Sequence, residues 1–214
     1  MTQADKKKRV HKTPELRQAE ILAAATKVFA ARGYQVADTQ AIADLAEVGK
    51  GTLYRYFPTK EALFKEALKR QLDILKERLE AAFHLPGSPF AKIKAVMGAY
   101  FLFFDEHPET IELFAQERAE FGRDNTPLYF ERIYTCNPGW AALFEEIKAQ
   151  HPARNLSIDA MMARCSEIMH GAVYISLRNA TGLSAYQQLD DIFEFYLFGI
   201  LDTQNPTQYV QDHT

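Results

Sequence analysis

Along nearly the whole chain, apolar residues recur three and four positions apart, and no run of useful length alternates apolar with polar residues. That spacing gathers side chains on one face of a helix rather than one face of a strand, so the chain is constrained to an all-α fold of helices packed on helices. Turn signals divide the pattern into about nine helices. Thr13-Pro14-Glu15 opens the first with a capping hydroxyl, a proline at the first helical position and an acid in the first turn, and Gly33 closes it. Two short helices are expected at about 38–45 and 49–56, the first capped by Asp38. Phe57-Pro58-Thr59 then breaks the chain, and Thr59 caps a long helix to about 82. His84-Leu-Pro-Gly-Ser88 is a turn. Further helices are expected from 88 to 104, from 108 to about 120, and from near 127 with an interruption at Asn137-Pro138-Gly139. The last two are expected at about 157–180 and 184–201.

With 214 residues, 47% of them apolar, the chain can form one large core or a small domain beside a larger one. Charge favours the second. Residues 1–82 carry 16 Lys and Arg against 11 Asp and Glu, whereas residues 83–214 carry 9 against 17. A basic front half suits an anionic partner such as nucleic acid. The expected organisation is a flexible basic arm (1–12), a helix-turn-helix head (13–60) with its long connecting helix (59–82), a helical body (83–204), to which the family resemblance described below assigns ligand binding and dimerisation, and a tail (205–214). Lys6, Lys7, Lys8, Arg9 and Lys12 read either as a solvated tail or as an arm reaching a minor groove.

Two cysteines, Cys136 and Cys165, without a CxxC pair point to a reducing compartment, and the basic N-terminus is not followed by the apolar stretch of a signal peptide. The longest apolar stretches, 96–104 and 195–201, fall far short of a membrane span. A cytoplasmic protein is therefore expected, with no membrane association. HExxH, GxSxG and P-loop patterns are absent, as is any ligand-spaced set of Cys and His, so no cofactor, metal or catalytic residue is expected.

The segment from Ala41 to Lys60 is the most informative. Ile42, Ala43, Leu45 and Ala46 form the apolar side of one short helix, and Val48 and Leu53 pack a second against it. What remains on the second helix is small, basic or hydroxylic: Gly49, Lys50, Gly51, Thr52, Tyr54, Arg55 and Tyr56. Small residues let a backbone come close to DNA, Lys50 can donate to a phosphate or a base edge, and the two tyrosines can hold phosphates. Lys60 stands at the start of the long helix, where backbone N–H groups attract phosphate. Thr39 and Gln40 complete the candidate DNA-contacting set.

From about Arg17 to Leu68 the chain resembles the TetR/AcrR family of regulators. The resemblance is carried by Ile21, Ala24-Ala25, Phe29, Gly33-Tyr34, Ile42-Ala43 and Lys50-Gly-Thr-Leu-Tyr-Arg-Tyr-Phe-Pro-Thr-Lys60-Glu-Ala-Leu. It implies a three-helix DNA-binding head, a homodimer, a ligand pocket in a helical body, and Lys50, Gly51, Thr52, Tyr54, Tyr56 and Lys60 at or near DNA. The expected function is a repressor that releases operator DNA on binding a small hydrophobic effector. Glu47 stands where the family turn has glycine, which costs on the order of 1 kcal/mol if that position needs a positive φ. Asp38 caps as well as serine does but repels a phosphate. Two other classes are the alternatives: an all-helical enzyme, and a protein–protein regulator whose DNA-binding head has degenerated.

The effector is expected beside Trp140, among Met97, Phe101, Phe104, Phe114, Trp140, Phe144 and Tyr174, although core packing explains most of these as well. Trp140 and Phe144 share one side of a helix, and Glu117 and Glu120 would favour a cationic ligand. His170 reads as a satisfied core histidine. Helices 157–180 and 184–201 would pair with their copies in a four-helix bundle, close packing being eased by Gly171, Ala172, Ser176 and Gly199.

Overall fold

The computed structural model describes residues 12–122, 126–129, 131–132, 139–176, 182–205, 208–209 and 211. Among them are nine α-helices: α1 (Pro14–Arg32), α2 (Thr39–Leu45), α3 (Lys50–Tyr56), α4 (Lys60–Phe83), α5 (Pro89–Glu106), α6 (Glu109–Phe121), α7 (Gly139–Gln150), α8 (Ile158–Ser176) and α9 (Leu189–Ile200). The described residues contain no strand, only an isolated antiparallel bridge between Ala153 and Leu201. Two compact units divide at Ala67 and Leu68. The expected arm, except for Lys12, lies outside the described residues, as do Cys136, the Asn137-Pro138 pair and most of the tail.

The first unit is set by its caps. The Thr13 hydroxyl accepts from the Leu16 N–H with Pro14 behind it, and Gly33 ends α1 at φ 78°, a conformation that favours glycine. The Asp38 carboxylate accepts from the Gln40 N–H and starts α2. The Thr59 hydroxyl accepts from the Ala62 N–H and starts α4. Between these helices Ile21, Ala25, Phe29, Ile42, Ala43, Leu53, Leu63 and Phe64 are fully buried. The Phe29 and Phe64 rings meet edge to face at 5.1 Å, and Tyr34 joins them at 5.3 Å from Phe64.

The second unit is organised around α5, which packs against α7, α8 and α9. Phe90, Ile93, Met97, Tyr100, Phe101, Phe103 and Phe104 of α5 are all buried, consistent with a helix that is apolar on most sides. The Tyr196 hydroxyl of α9 donates to the Met161 carbonyl of α8 at 2.9 Å. After α7, the Arg154 and Asp202 N–H groups donate to the Ile200 and Pro152 carbonyls, tying that segment to the end of α9.

One boundary differs from expectation. The helix expected from 184 begins as a single 3-10 turn, Tyr186–Gln188, and becomes α-helical only at Leu189. Ser184 and Gln187 cap each other there, the Gln187 amide oxygen accepting from the Ser184 N–H and the Ser184 hydroxyl from the Gln187 N–H. The preceding helix is described to Ser176, and its expected continuation to 180 falls outside the described residues.

Candidate nucleic-acid interface and effector cavity

The turn between α2 and α3 decides how the two helices meet. Glu47 has φ 53°, and among the described residues it is the non-glycine with a positive φ. The Glu47 N–H donates to the Asp44 carbonyl and the Val48 N–H to the Ala43 carbonyl. This pair of bonds is a Schellman closure, which places its middle residue in the left-handed region. The sequence-based suspicion about Glu47 is therefore met: the position asks for glycine and holds glutamate.

On α3, Leu53 is fully buried and anchors the helix. Lys50, Gly51, Tyr54 and Arg55 are exposed, and Thr52 and Tyr56 are half-buried. A Cβ built on Gly49 or Gly51 would meet nothing within 4 Å, so packing inside this chain does not require glycine at either position. Lys50 Nζ stands 3.9 Å from the Asp38 carboxylate, and both side chains are largely exposed. Gln40 is exposed and its amide donates to Asp44 at 2.8 Å.

Two candidates are placed differently from expectation. Thr39 is buried, and its hydroxyl lies 3.1 Å from that of Tyr54, so it holds the tyrosine rather than presenting a surface of its own. The Lys60 ammonium donates to the Gln35 carbonyl at 3.1 Å and lies 5.1 Å over the Tyr34 ring. Both partners come from the segment before α2, which residue spacing within α4 could not reveal.

In the second unit a cavity of about 80 Å³ lies between α5, α7 and α8, with Leu79 of α4 and Tyr129 also on its wall. Trp140 and Phe144 line it, as expected, with their rings stacked 6.2 Å apart. Val96 and Tyr100 of α5, and Met162, Cys165, Ser166 and Met169 of α8, complete the lining. The other expected residues lie elsewhere. Met97 and Phe101 are fully buried core residues, because α5 is surrounded and its cavity face cannot be told from its core face by spacing. Phe104 borders a separate, more open cleft with Asp105 and Val173. Phe114 packs between Phe104 and Tyr129, at 5.9 and 5.6 Å. Tyr174 is 50% exposed on the outside of α8.

The expected acidic character of the pocket is corrected. The Glu117 carboxylate is buried and accepts from the Leu128 N–H, and neither Glu117 nor Glu120 lines the cavity. Sequence reasoning passed over Tyr100, whose hydroxyl is buried on the cavity wall and has no hydrogen-bond partner among the described residues. Burial holds this phenol well above its ordinary pKa, and Tyr129 nearby raises it further. Burial also pushes the Cys165 thiol up to about 12, and its S–H lies 3.7 Å from the Met169 sulfur. Desolvation lowers the pKa of His170, opposed by the Ser166 carbonyl 2.9 Å from Nδ1, and the Tyr100 and Tyr129 rings flank the imidazole. His170 is half-buried, with its Nδ1 beside the Ser166 carbonyl.

The head geometry coincides with the family comparison. The model of bacterial regulatory proteins of the tetR family matches residues 21–67, from the middle of α1 to the end of the first unit. Over its head, residues 21–67, this chain is similar to the tetR family. Over 103 residues it is 40% identical to the uncharacterized HTH-type transcriptional regulator YhgD of Bacillus subtilis, covering 48% of this chain and 53% of YhgD. It is 33% identical over 82 residues to the HTH-type transcriptional repressor KstR of Mycolicibacterium smegmatis, covering 38% of this chain and 40% of KstR. The matches thus span about half or less of these relatives' lengths. The transcriptional regulator FadR of Bacillus subtilis, solved in complex with stearoyl-CoA, superposes with a TM-score of 0.66 at 20% identity, covering 85% of this chain and 98% of FadR. That likeness establishes the fold, a helix-turn-helix head and a helical body. These relatives are transcriptional regulators, not enzymes, and give the enzymatic alternative no support. No helix of the described residues is long and apolar enough to cross a membrane, and no group of three or more His, Cys, Asp or Glu among them could hold a metal ion.

Proposed function

We propose that the chain is a cytoplasmic, homodimeric transcriptional repressor that binds operator DNA through α2 and α3 and releases it when a small hydrophobic effector enters the second unit. The observation that carries this reading is α3: one buried anchor, Leu53, beneath an exposed face of Lys50, Gly51, Tyr54 and Arg55. Such a face suits the major groove. Lys50 can reach a base edge or a phosphate, Tyr54 and Arg55 can hold phosphates, and Gly51 allows the backbone to approach. Gln40 at the start of α2, with Gly49, Thr52, Tyr56 and Lys60, completes the proposed contact set. The domain limits proposed from the sequence go with it: the arm at 1–12, the head at 13–60 and the body at 83–204.

A second copy of the chain is the partner proposed for α8 and α9. Tyr174 and Ile175 on α8, and Phe195 and Phe198 on α9, are 50%, 59%, 71% and 44% exposed, a concentration of large apolar surface on two neighbouring helices. Repression is the regulatory sense named for the relative KstR, and stearoyl-CoA is an apolar-tailed ligand of the fold neighbour FadR. An apolar cavity beside Trp140 and Phe144 fits an effector of that general character here. For the effector to act, it must bind the DNA-free arrangement better than the DNA-bound one, since equal affinity shifts nothing.

Gel-shift titration of the full chain on the DNA flanking its own gene tests this reading. Saturable, salt-sensitive binding that is weakened by Tyr54→Ala supports it. Equal affinity of parent and folded Tyr54→Ala for every duplex overturns the assignment of α3. Absence of any DNA binding favours the protein–protein alternative.

A further inference from the structure

We propose that the effector is a compact, neutral, apolar molecule carrying one hydrogen-bond acceptor, and that the Tyr100 hydroxyl donates to that acceptor. The inference rests on the cavity being the effector site, and goes beyond it by naming the ligand's chemistry and the residue that selects it.

Three observations carry it. First, the lining is mainly aromatic, aliphatic and sulfur-bearing, with Ser166 adding a neutral hydroxyl and no carboxylate, ammonium or guanidinium among the described lining residues. An ion placed there would lose its hydration and gain no counter-charge, so both the cation expected from Glu117 and Glu120 and an anion are disfavoured. Secondly, the Tyr100 hydroxyl is fully buried on this wall and unpartnered among the described residues. A buried donor without an acceptor is uncommon in a folded protein and is explained when a ligand supplies the missing partner. Its raised pKa keeps the phenol protonated, so its O–H is available to donate. Thirdly, the cavity of about 80 Å³ is small. Engineered cavities of roughly 150 Å³ admit benzene, so a six-membered ring needs the wall to yield. Met162 and Met169, unbranched and flexible, are the side chains that can yield.

A ketone, aldehyde or ester oxygen on a small ring or short branched chain meets all three conditions. A hydrocarbon of the same shape leaves Tyr100 unpaired. A carboxylate or an ammonium brings an uncompensated charge. The donor–acceptor bond discriminates as a polar site does, by rejecting the analogue that lacks the polar atom.

The test uses four probes of one ring size on the full chain: cyclohexanone, cyclohexene, cyclohexylammonium and cyclohexanecarboxylate. Binding is read from the emission of Trp140, the only tryptophan, and by calorimetry. Cyclohexanone is expected to bind saturably and at least about tenfold more tightly than the other three. Tyr100→Phe is expected to weaken cyclohexanone about tenfold while leaving cyclohexene unchanged. If cyclohexanone and cyclohexene bind alike to the parent and to Tyr100→Phe, the cavity stands as a site and the role of Tyr100 is overturned. If either ion binds more tightly than the ketone, the neutral-ligand assignment is overturned. If no probe binds while the protein still shifts DNA, the cavity itself is overturned as the effector site.

Discussion

Replacing Glu47 by glycine should stabilise the head and strengthen DNA binding at the same time, for two separable reasons. At φ 53° an L-residue sits in the left-handed region, at a cost of about 1–2 kcal/mol relative to its right-handed conformation. Glycine removes that cost but adds about 0.5–1 kcal/mol of chain entropy lost on folding. The net gain is about 0.5–1 kcal/mol, or roughly 1–4 °C in Tm for a chain of this length. The closing bonds from Glu47 to Asp44 and from Val48 to Ala43 are backbone bonds and survive the change. The second effect is electrostatic: an exposed carboxylate leaves the turn that introduces α3. Glu47→Gln separates the two, since it keeps the Cβ and removes the charge. Thermal melts followed by circular dichroism should show Glu47→Gly above the parent and Glu47→Gln close to it. DNA titrations at low salt should show both variants binding more tightly. A Tm for Glu47→Gly no higher than that of Glu47→Gln would refute the backbone argument, and unchanged DNA affinity in both would refute the placement of the turn near phosphates.

Other consequences can be checked in the same assays. Gly51→Ala should raise head stability by about 0.8–1 kcal/mol, because its Cβ meets open space in the free protein, yet weaken DNA binding, where that space is filled; stability and affinity moving together would contradict it. Asp38→Asn should keep the α2 cap and tighten DNA binding by releasing Lys50 from a carboxylate 3.9 Å away, measured as a lower Kd at fixed salt. Phe195→Glu should shift the chain toward monomer in analytical ultracentrifugation without unfolding it, since Phe195 is 71% exposed; a parent that is already monomeric at the concentrations used would sink the dimer. His170 has a pKa lowered by burial, so the unfolded chain takes up its proton first as pH falls. Its contribution is complete above the ordinary histidine value near 6.5 and declines as pH drops below it. Thermal melts from pH 7.5 to 5.5 should therefore fall more steeply for the parent than for His170→Gln.

Legibility in the sequence followed the range of the interactions. The head was readable because its determinants are local: the Thr13 cap, Gly33, the Asp38 cap and the left-handed turn position each act over three or four residues. Leu53 as the buried anchor of α3 also followed from spacing alone. Lys60 did not, because its partners lie 25 and 26 positions away at Gln35 and Tyr34. In the body, Trp140 and Phe144 were legible as a pair because they lie one turn apart on α7. Met97 and Phe101 were not distinguishable from cavity residues, since α5 is apolar on most sides and periodicity cannot say which face meets a void. Glu117 misled because its role depends on Leu128, 11 positions further along the chain. Tyr100 was passed over because a missing hydrogen-bond partner has no signature in sequence.

Footprinting of the DNA flanking the chain's own gene tests the central claim most directly. Two heads related by a twofold axis should protect two major-groove faces about 34–36 Å apart, or a multiple of that, over a palindromic sequence. Sedimentation of the same complex should give two chains per half-site pair or a multiple of two, and protection should be lost in Tyr54→Ala. Protection of a single unsymmetrical half-site by one chain, or protection undiminished in Tyr54→Ala, would contradict the account.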